Sequence, residues 1–335
     1  MRTRLRAIVL IATLALLATA CGDDTTDTAS NAGGGSGKIT VVATTTVVQD
    51  FVRVIAGDRV TLVGILKPNV DPHDYEPSPA DTKAVADADL IVANGAGIEE
   101  WLEKLVDSAG PTAPVIDLSE NVTLRGGSDE HSEGAKDEHS EGAKDEHSEG
   151  AKDEHSHGGE DPHIWHNPMN AKIMVTDLTA ALVTADAANA PTYESNRDAY
   201  LTELDTLDAE IEQQISTLTN KRLVTNHDAF GYYVDRYGLD FVGSIIPSFD
   251  SSAEMSASDL SDLVAKIKDQ DVQAIFSESS LPPKTAEAIA TEAGVKVVEG
   301  EDALYGDGLG PAGSSGATYL EMMRHNTDTI VAGLS

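Results

Sequence analysis

Pro191 opens a stretch in which Tyr200, Leu204, Leu207, Ile211, Ile215 and Leu218 recur at steps of three and four. That period puts them on one face of a helix, and a helix running to residue 218 is on the order of 40 Å long. Short apolar runs alternating with helical segments stand on both sides of it. Before it, Ile39–Ala43, Val60–Leu66, Leu90–Ala93 and Val115–Leu118 read as strands, with helices over 47–56, 80–86 and 99–106 between them and another over 170–187. After it, Leu223–Thr225, Phe241–Ile246, Ala274–Phe276 and Lys296–Val298 read as strands, with helices over 260–268, 285–293 and 318–334. Strands alternating with helices build a parallel sheet covered on both faces. The expected fold is therefore α/β, with two lobes of about four parallel strands each and a long rigid helix joining them. The boundaries are 38–190 for the first lobe, 191–218 for the linker helix and 219–335 for the second lobe.

The chain's two ends of processing and its middle stand outside that pattern. Arg2, Arg4 and Arg6 precede an apolar run, Ala7–Leu17, too short to span a bilayer, so residues 1–20 read as an export signal. Ala18-Thr19-Ala20-Cys21 resembles a bacterial lipobox, which puts a lipid on Cys21, the chain's one cysteine. Ordinary cleavage leaving a free thiol is the alternative. Residues 21–37 are a flexible tether. The expected place is the outer face of the cytoplasmic membrane, or a secreted or periplasmic soluble state. Residues 125–160 are poor in apolar side chains and expected to be disordered without metal. Within them Asp-Glu-His-Ser-Glu-Gly-Ala-Lys runs three times from Asp129, with an altered fourth copy from Asp153. Its histidines, His131, His139, His147, His155 and His157, read as a weak accessory metal loop, or else as part of a solubilising linker. With 57 acids against 23 bases, a net charge of −34, the chain is a poor partner for nucleic acid and a good one for cations. A lone cysteine excludes an internal disulfide and a cysteine-rich zinc site.

Histidine carries the chemistry. Asp71-Pro72-His73 recurs as Asp161-Pro162-His163, and proline before each histidine suits a rigid loop presenting an imidazole. His73 and His227 each follow a strand, one in each lobe. Ligands of open parallel sheets bind there, and a pocket between domains is a favoured site. Glu299, Glu301, Asp302 and Asp307 all lie after the last strand. Of these, Asp307 sits between two glycines, where the loop can approach a ligand closely.

Four motifs together resemble the metal-binding lipoproteins that serve ATP-driven zinc and manganese importers. They are Asp-Pro-His-Asp-Tyr-Glu-Pro at 71–77, Asp-Pro-His-Ile-Trp-His-Asn-Pro at 161–168, Thr-Asn-His-Asp-Ala-Phe-Gly-Tyr at 225–232 and Leu-Tyr-Gly-Asp-Gly-Leu-Gly at 304–310. The resemblance implies one metal ligand per motif: His73, His163, His227 and Asp307. It also implies a membrane permease as partner. Three imidazoles and a carboxylate suit tetrahedral zinc, whereas manganese prefers more oxygen. The manganese branch of the family typically has glutamate where this chain has His227, and a histidine-rich acidic loop is similar to that of the zinc branch. Glu76 and Glu278 are candidates to orient the imidazoles. His166 reads as a loop or packing residue and His325 as a surface residue.

The expected function is capture of Zn2+ outside the cytoplasm and delivery to an ABC importer, by a monomer, with a zinc chaperone as a further partner. Competing readings are a surface zinc buffer or adhesin, a manganese-binding homologue, and a zinc hydrolase with an open coordination position. No His-Glu-x-x-His or Gly-x-Ser-x-Gly motif supports the last. Proton competition for free imidazoles would weaken binding below pH about 6.5.

Overall fold

The computed structural model describes residues 37–126, 159–253 and 255–335. Cys21 and His131, His139, His147, His155 and His157 lie outside the described residues. The first sheet has strands β1 (Thr40–Ala43), β2 (Thr61–Gly64), β3 (Leu90–Ala93) and β4 (Val115–Asp117), all parallel, in the order β2-β1-β3-β4. The second has β5 (Arg222–His227), β6 (Asp240–Ile246), β7 (Ala274–Phe276) and β8 (Lys296–Val298), all parallel, in the order β6-β5-β7-β8. The two sheets thus share one topology, and β3 and β7 are continuous apolar runs buried on both faces, as parallel strands require.

Helices α1 (Thr46–Ala56), α2 (Pro79–Ala86) and α3 (Leu102–Ala109) belong to the first sheet, and α4 (Pro168–Ala185) follows the 127–158 segment. The long helix α5 (Ala190–Ser216) has 27 residues and buries Tyr193, Tyr200, Leu204, Leu207, Ile211 and Ile215 along one stripe. The second sheet carries α6 (Gly231–Tyr237), α7 (Ala257–Asp269) and α8 (Lys284–Ala293), and α9 (Tyr319–Leu334) closes the chain. Starts are set by local chemistry. Ser78 and Ser256 each form a reciprocal capping box with the aspartate three residues on, and Thr45 caps α1 through Val48 N.

Two elements differ from the sequence expectation. Helix α3 starts at Leu102 rather than at 99, because Glu99 folds back and accepts hydrogen bonds from the backbone N–H of Asn94 and Gly95. Helix α6 was not expected. It is seven residues long, begins at a glycine without a side-chain cap, and contains three tyrosines, so little local propensity marks it. Tertiary contacts supply what propensity lacks: the Asp208 carboxylate on α5 accepts from Arg236 Nε at 2.9 Å and from Tyr237 Oη at 3.0 Å.

The sheets keep separate outer cores but share an inner one. Val42, Ile91, Val85 and Leu105 pack the outer face of the first lobe, and Val224, Ile275, Leu263 and Ile289 that of the second. A single buried cluster then runs from Val41, Phe51 and Trp165 through the stripe of α5 to Leu223, Phe276, Tyr319 and Met322. This packing holds the carboxyl ends of both sheets facing one another.

Candidate metal centre

All four candidate ligands leave the sheets at carboxyl ends. His73 follows β2, His163 follows β4, His227 is the last residue of β5, and Asp307 follows β8. The two Asp-Pro-His loops are built alike. Asp71 Oδ1 accepts from His73 N at 2.9 Å, and Asp161 Oδ1 accepts from His163 N at 3.0 Å. Such a turn closes on its own aspartate and needs no partner to hold its shape. The proline carbonyls are then pinned by first-lobe side chains: Trp101 Nε1 donates to Pro72 O at 2.9 Å, and Asn94 Nδ2 to Pro162 O at 3.1 Å.

The four side chains converge, with one donor atom from each lying within 4.8 Å of every other. His163 Nε2 and His227 Nε2 are 3.3 Å apart, and Asp307 Oδ1 stands 3.2 Å from the first, 3.1 Å from the second and 3.9 Å from His73 Nε2. The side chains of His163, His227 and Asp307 are completely buried and that of His73 is 6% exposed. Neither Asp307 oxygen has a hydrogen-bond partner, nor does His73 Nε2. Buried polar atoms pay heavily for lacking one, and Asp307 Oδ1 and His73 Nε2 lie together in this cluster, which suits a cation.

Behind the imidazoles stand carboxylates. His163 Nδ1 donates to Asp161 Oδ1 and His227 Nδ1 to Glu278 Oε1, each at 2.9 Å. This orients both rings with Nε2 turned inward, the usual arrangement behind a metal-bound histidine, whose Nε2 gives up its proton to the metal. Glu76 does not share that role: it is exposed and bonds to no imidazole among the described residues. Its motif position faces solvent because Asp71 and Trp101, not Glu76, hold the His73 loop. Glu299, Glu301 and Asp302 are likewise exposed. His325 corrects another expectation. It is half-buried, bonded through Nε2 to Ala303 O at 2.9 Å and packed on Tyr305. His166 is buried, stacked on Phe230, and bonded to Gly306 O at 2.8 Å.

Asp161 and Arg125 carry weight that sequence reasoning missed. Arg125 Nη1 donates to Asp161 Oδ2 at 2.7 Å, and Tyr232 Oη accepts from Arg125 N and donates to Asp161 O. The guanidinium lies where a side chain at Gly231 would sit, since a Cβ there would come 1.6 Å from Arg125 Nη1. Gly306 is required similarly, a Cβ meeting Glu278 Oε2 at 1.9 Å. An aspartate two residues before a histidine within a repeated tripeptide was the available signal for Asp161.

Charge follows from this packing. Burial by itself opposes an imidazolium, yet the Asp161 and Asp307 carboxylates outweigh it and push His163 up to about 9. His227 is raised well above the ordinary range against the same burial by Asp307 and Glu278. Burial wins at His73, which falls to about 4, and at His166, which falls to about 3. Despite its burial, Asp307 is held well below the usual carboxylate range by His227 and His163.

Residues 41–333 match the protein family described as zinc-uptake complex component A, periplasmic. The chain is 31% identical over 328 residues to the manganese-binding lipoprotein MntA of Halalkalibacterium halodurans, covering 97% of each chain. It is 31% identical over 330 residues to MtsA, an iron ABC transporter substrate-binding lipoprotein of Streptococcus pyogenes serotype M1, covering 95% of this chain and 94% of that one. Among solved structures it is similar to the periplasmic zinc-binding protein TroA of Treponema pallidum, with a TM-score of 0.74, 30% identity, and coverage of 89% of this chain and 100% of that one.

Proposed function

This chain belongs to the family of metal-binding substrate-binding proteins of ABC importers, which are not enzymes, and we propose that its cargo is zinc. His73, His163, His227 and Asp307 take the ion between the lobes, and the importer's membrane permease receives it. The observation that carries this reading is the donor set and its spacing. Four donors at 2.0–2.1 Å around one tetrahedral ion stand about 3.3–3.4 Å apart. The Nε2–Nε2 and Nε2–Oδ1 separations at His163, His227 and Asp307 are 3.1–3.3 Å, and His73 Nε2 stands 3.9 Å from Asp307 Oδ1 and within 4.8 Å of the others. Three borderline nitrogens favour zinc, whereas manganese asks for further hard oxygens, and no further His, Cys, Asp or Glu residue joins this group among the described residues. Manganese is the second reading, because MntA, a relative across nearly the whole chain, is named for it.

Export and a lipid on Cys21 fit the same role, since MntA and MtsA are lipoproteins. A mass shift on the mature chain, lost in Cys21→Ser, tests the anchor. The cargo is tested by calorimetric titration with zinc and with manganese, on the parent and on His227→Ala. One zinc should bind, displace manganese, and bind at least about tenfold more weakly in the variant. Tighter binding of manganese than zinc would refute the cargo while leaving the family membership intact.

A further inference from the structure

Apart from the neighbouring ligand histidines, no donor among the described residues holds the buried Asp307 carboxylate, so its position is otherwise set by its backbone. Three contacts fix that backbone. Tyr305 N donates to Asn326 Oδ1, and Asn326 Nδ2 donates back to Tyr305 O, both at 2.9 Å. Leu309 N donates to Thr46 Oγ1 at 2.7 Å. Between them, one peptide unit from Asp307, Gly306 O accepts from His166 Nε2 at 2.8 Å. A carbonyl accepts only, so His166 must carry its proton on Nε2. The ring is completely buried and rests on Phe230, with centroids 4.5 Å apart, so it has little freedom to leave. His166 also ends the short 3-10 turn Ile164–His166 that His163 begins. The turn that presents one ligand thereby reaches across to the loop that presents another.

We propose that His166 is a positioning residue for Asp307, its bond to Gly306 O holding the loop so that the carboxylate reaches the other ligands. Asp307 Oδ1 stands 3.2 Å from His163 Nε2 and 3.1 Å from His227 Nε2. Without this bond the loop keeps its contacts to Asn326 and Thr46 but loses the one on the peptide directly before Asp307, so the carboxylate is less firmly placed. The inference rests on the ligand assignment made above, so its test has to separate the two.

The variants are H166L, which fills the volume without a donor, and H166Q, which returns an N–H near the Nε2 position. Each is made in the full chain and in a D307A background. Zinc affinity is measured by competition calorimetry and the fold by circular dichroism. H166L should bind zinc about tenfold more weakly, with H166Q recovering most of the loss. In the D307A background H166L should change nothing further, as expected of a residue that acts through Asp307. If H166L does not fold, H166N replaces it, because its amide is too short to reach Gly306. Loss of affinity in D307A with none in H166L overturns the inference alone, as does an equal H166L loss with and without Asp307. D307A binding zinc as tightly as the parent overturns the ligand assignment and this inference together.

Discussion

Asp161→Asn separates orienting a ligand from holding the fold. The carboxylate is completely buried. Oδ1 accepts from His163 N at 3.0 Å and from His163 Nδ1 at 2.9 Å, while Oδ2 accepts from Arg125 Nη1 at 2.7 Å. An asparagine oxygen can keep both His163 bonds, but its amide then faces the guanidinium donor to donor, and the charge behind the imidazole is gone. Losing such an outer partner costs about 10- to 100-fold in metal affinity, or about 1.4–2.8 kcal/mol. Stability should fall too, by about 1–3 kcal/mol. That is below the usual ~3–5 kcal/mol for a broken buried pair, because Arg125 keeps a second partner in Asp235 and is 30% exposed. Competition with a chromophoric chelator reads the affinity, and thermal melting of the metal-free protein reads the fold. Asp235→Asn, on the exposed side of the same guanidinium, should barely alter zinc binding. Zinc affinity within about twofold of the parent in Asp161→Asn, with a lowered melting temperature, would show that Asp161 only holds the fold.

Changing His227 to glutamate alone should fail to make a good manganese site, because the new carboxylate would face Glu278, whose Oε1 now lies 2.9 Å from His227 Nδ1. His227→Glu with Glu278→Gln should move the zinc-to-manganese ratio towards manganese by more than about tenfold, and an unchanged ratio by competition calorimetry would locate selectivity elsewhere. Deleting residues 129–157 should keep the tight site and remove additional weak binding. The stem survives the deletion, since Gly126 pairs with Glu160 and Asp161 N donates to Arg125 O at 2.8 Å. Loss of the tight site would make the loop a ligand donor. Asp307→Asn should weaken zinc without abolishing binding, because three imidazoles remain, and an unchanged affinity would remove Asp307 from the ligand set.

The fold was legible from the strands that lie deepest. Leu90–Ala93 and Ala274–Phe276 are buried throughout, so each appears as an unbroken apolar run. The stripe of α5 was equally plain, since its seams are Tyr, Leu and Ile at helical steps. Helix α6 stayed hidden because Asp208 and the shared core, not its own residues, stabilise it. The histidines of the centre stood out through their repeated turn sequence and their places at strand ends. Their supports did not. Asn94, Trp101 and Arg125 act through single hydrogen bonds to residues 29 to 68 positions away, and no local pattern encodes such a pairing. Glu76 misled for the converse reason: a motif position records proximity in sequence, while exposure depends on which neighbour closes the loop.

The centre also has to be stable with and without its cargo, and its buried charges show how. Among the described residues the carboxylates of Asp307, Asp161 and Glu278 lie against the ligands, while Arg125, which bears on Asp161, is shared with Asp235. With neutral imidazoles, a divalent ion offsets most of this buried negative charge. Without the ion that charge would be left uncompensated, at a large cost. The raised affinities of His163 and His227 for protons supply that compensation, while His73, lowered to about 4, stays neutral. Zinc should therefore enter by exchange, displacing protons from His163 and His227 at pH 7. Proton competition moves with it: instead of setting in below pH about 6.5, as for free imidazoles, it operates up to about pH 9, where His163 titrates. Zinc affinity should climb steadily from pH 6 to 9. The metal-free protein should behave oppositely. Because the folded pKa of His163 is raised, its stabilisation is complete below about 6.5 and is lost as pH rises through about 9. Its melting temperature should accordingly drop over that window, and that of the zinc form should not follow it. Calorimetry in buffers of different ionisation enthalpy counts the protons directly. Release of none at pH 7, or a zinc affinity that is flat between pH 7 and 9, would refute the exchange.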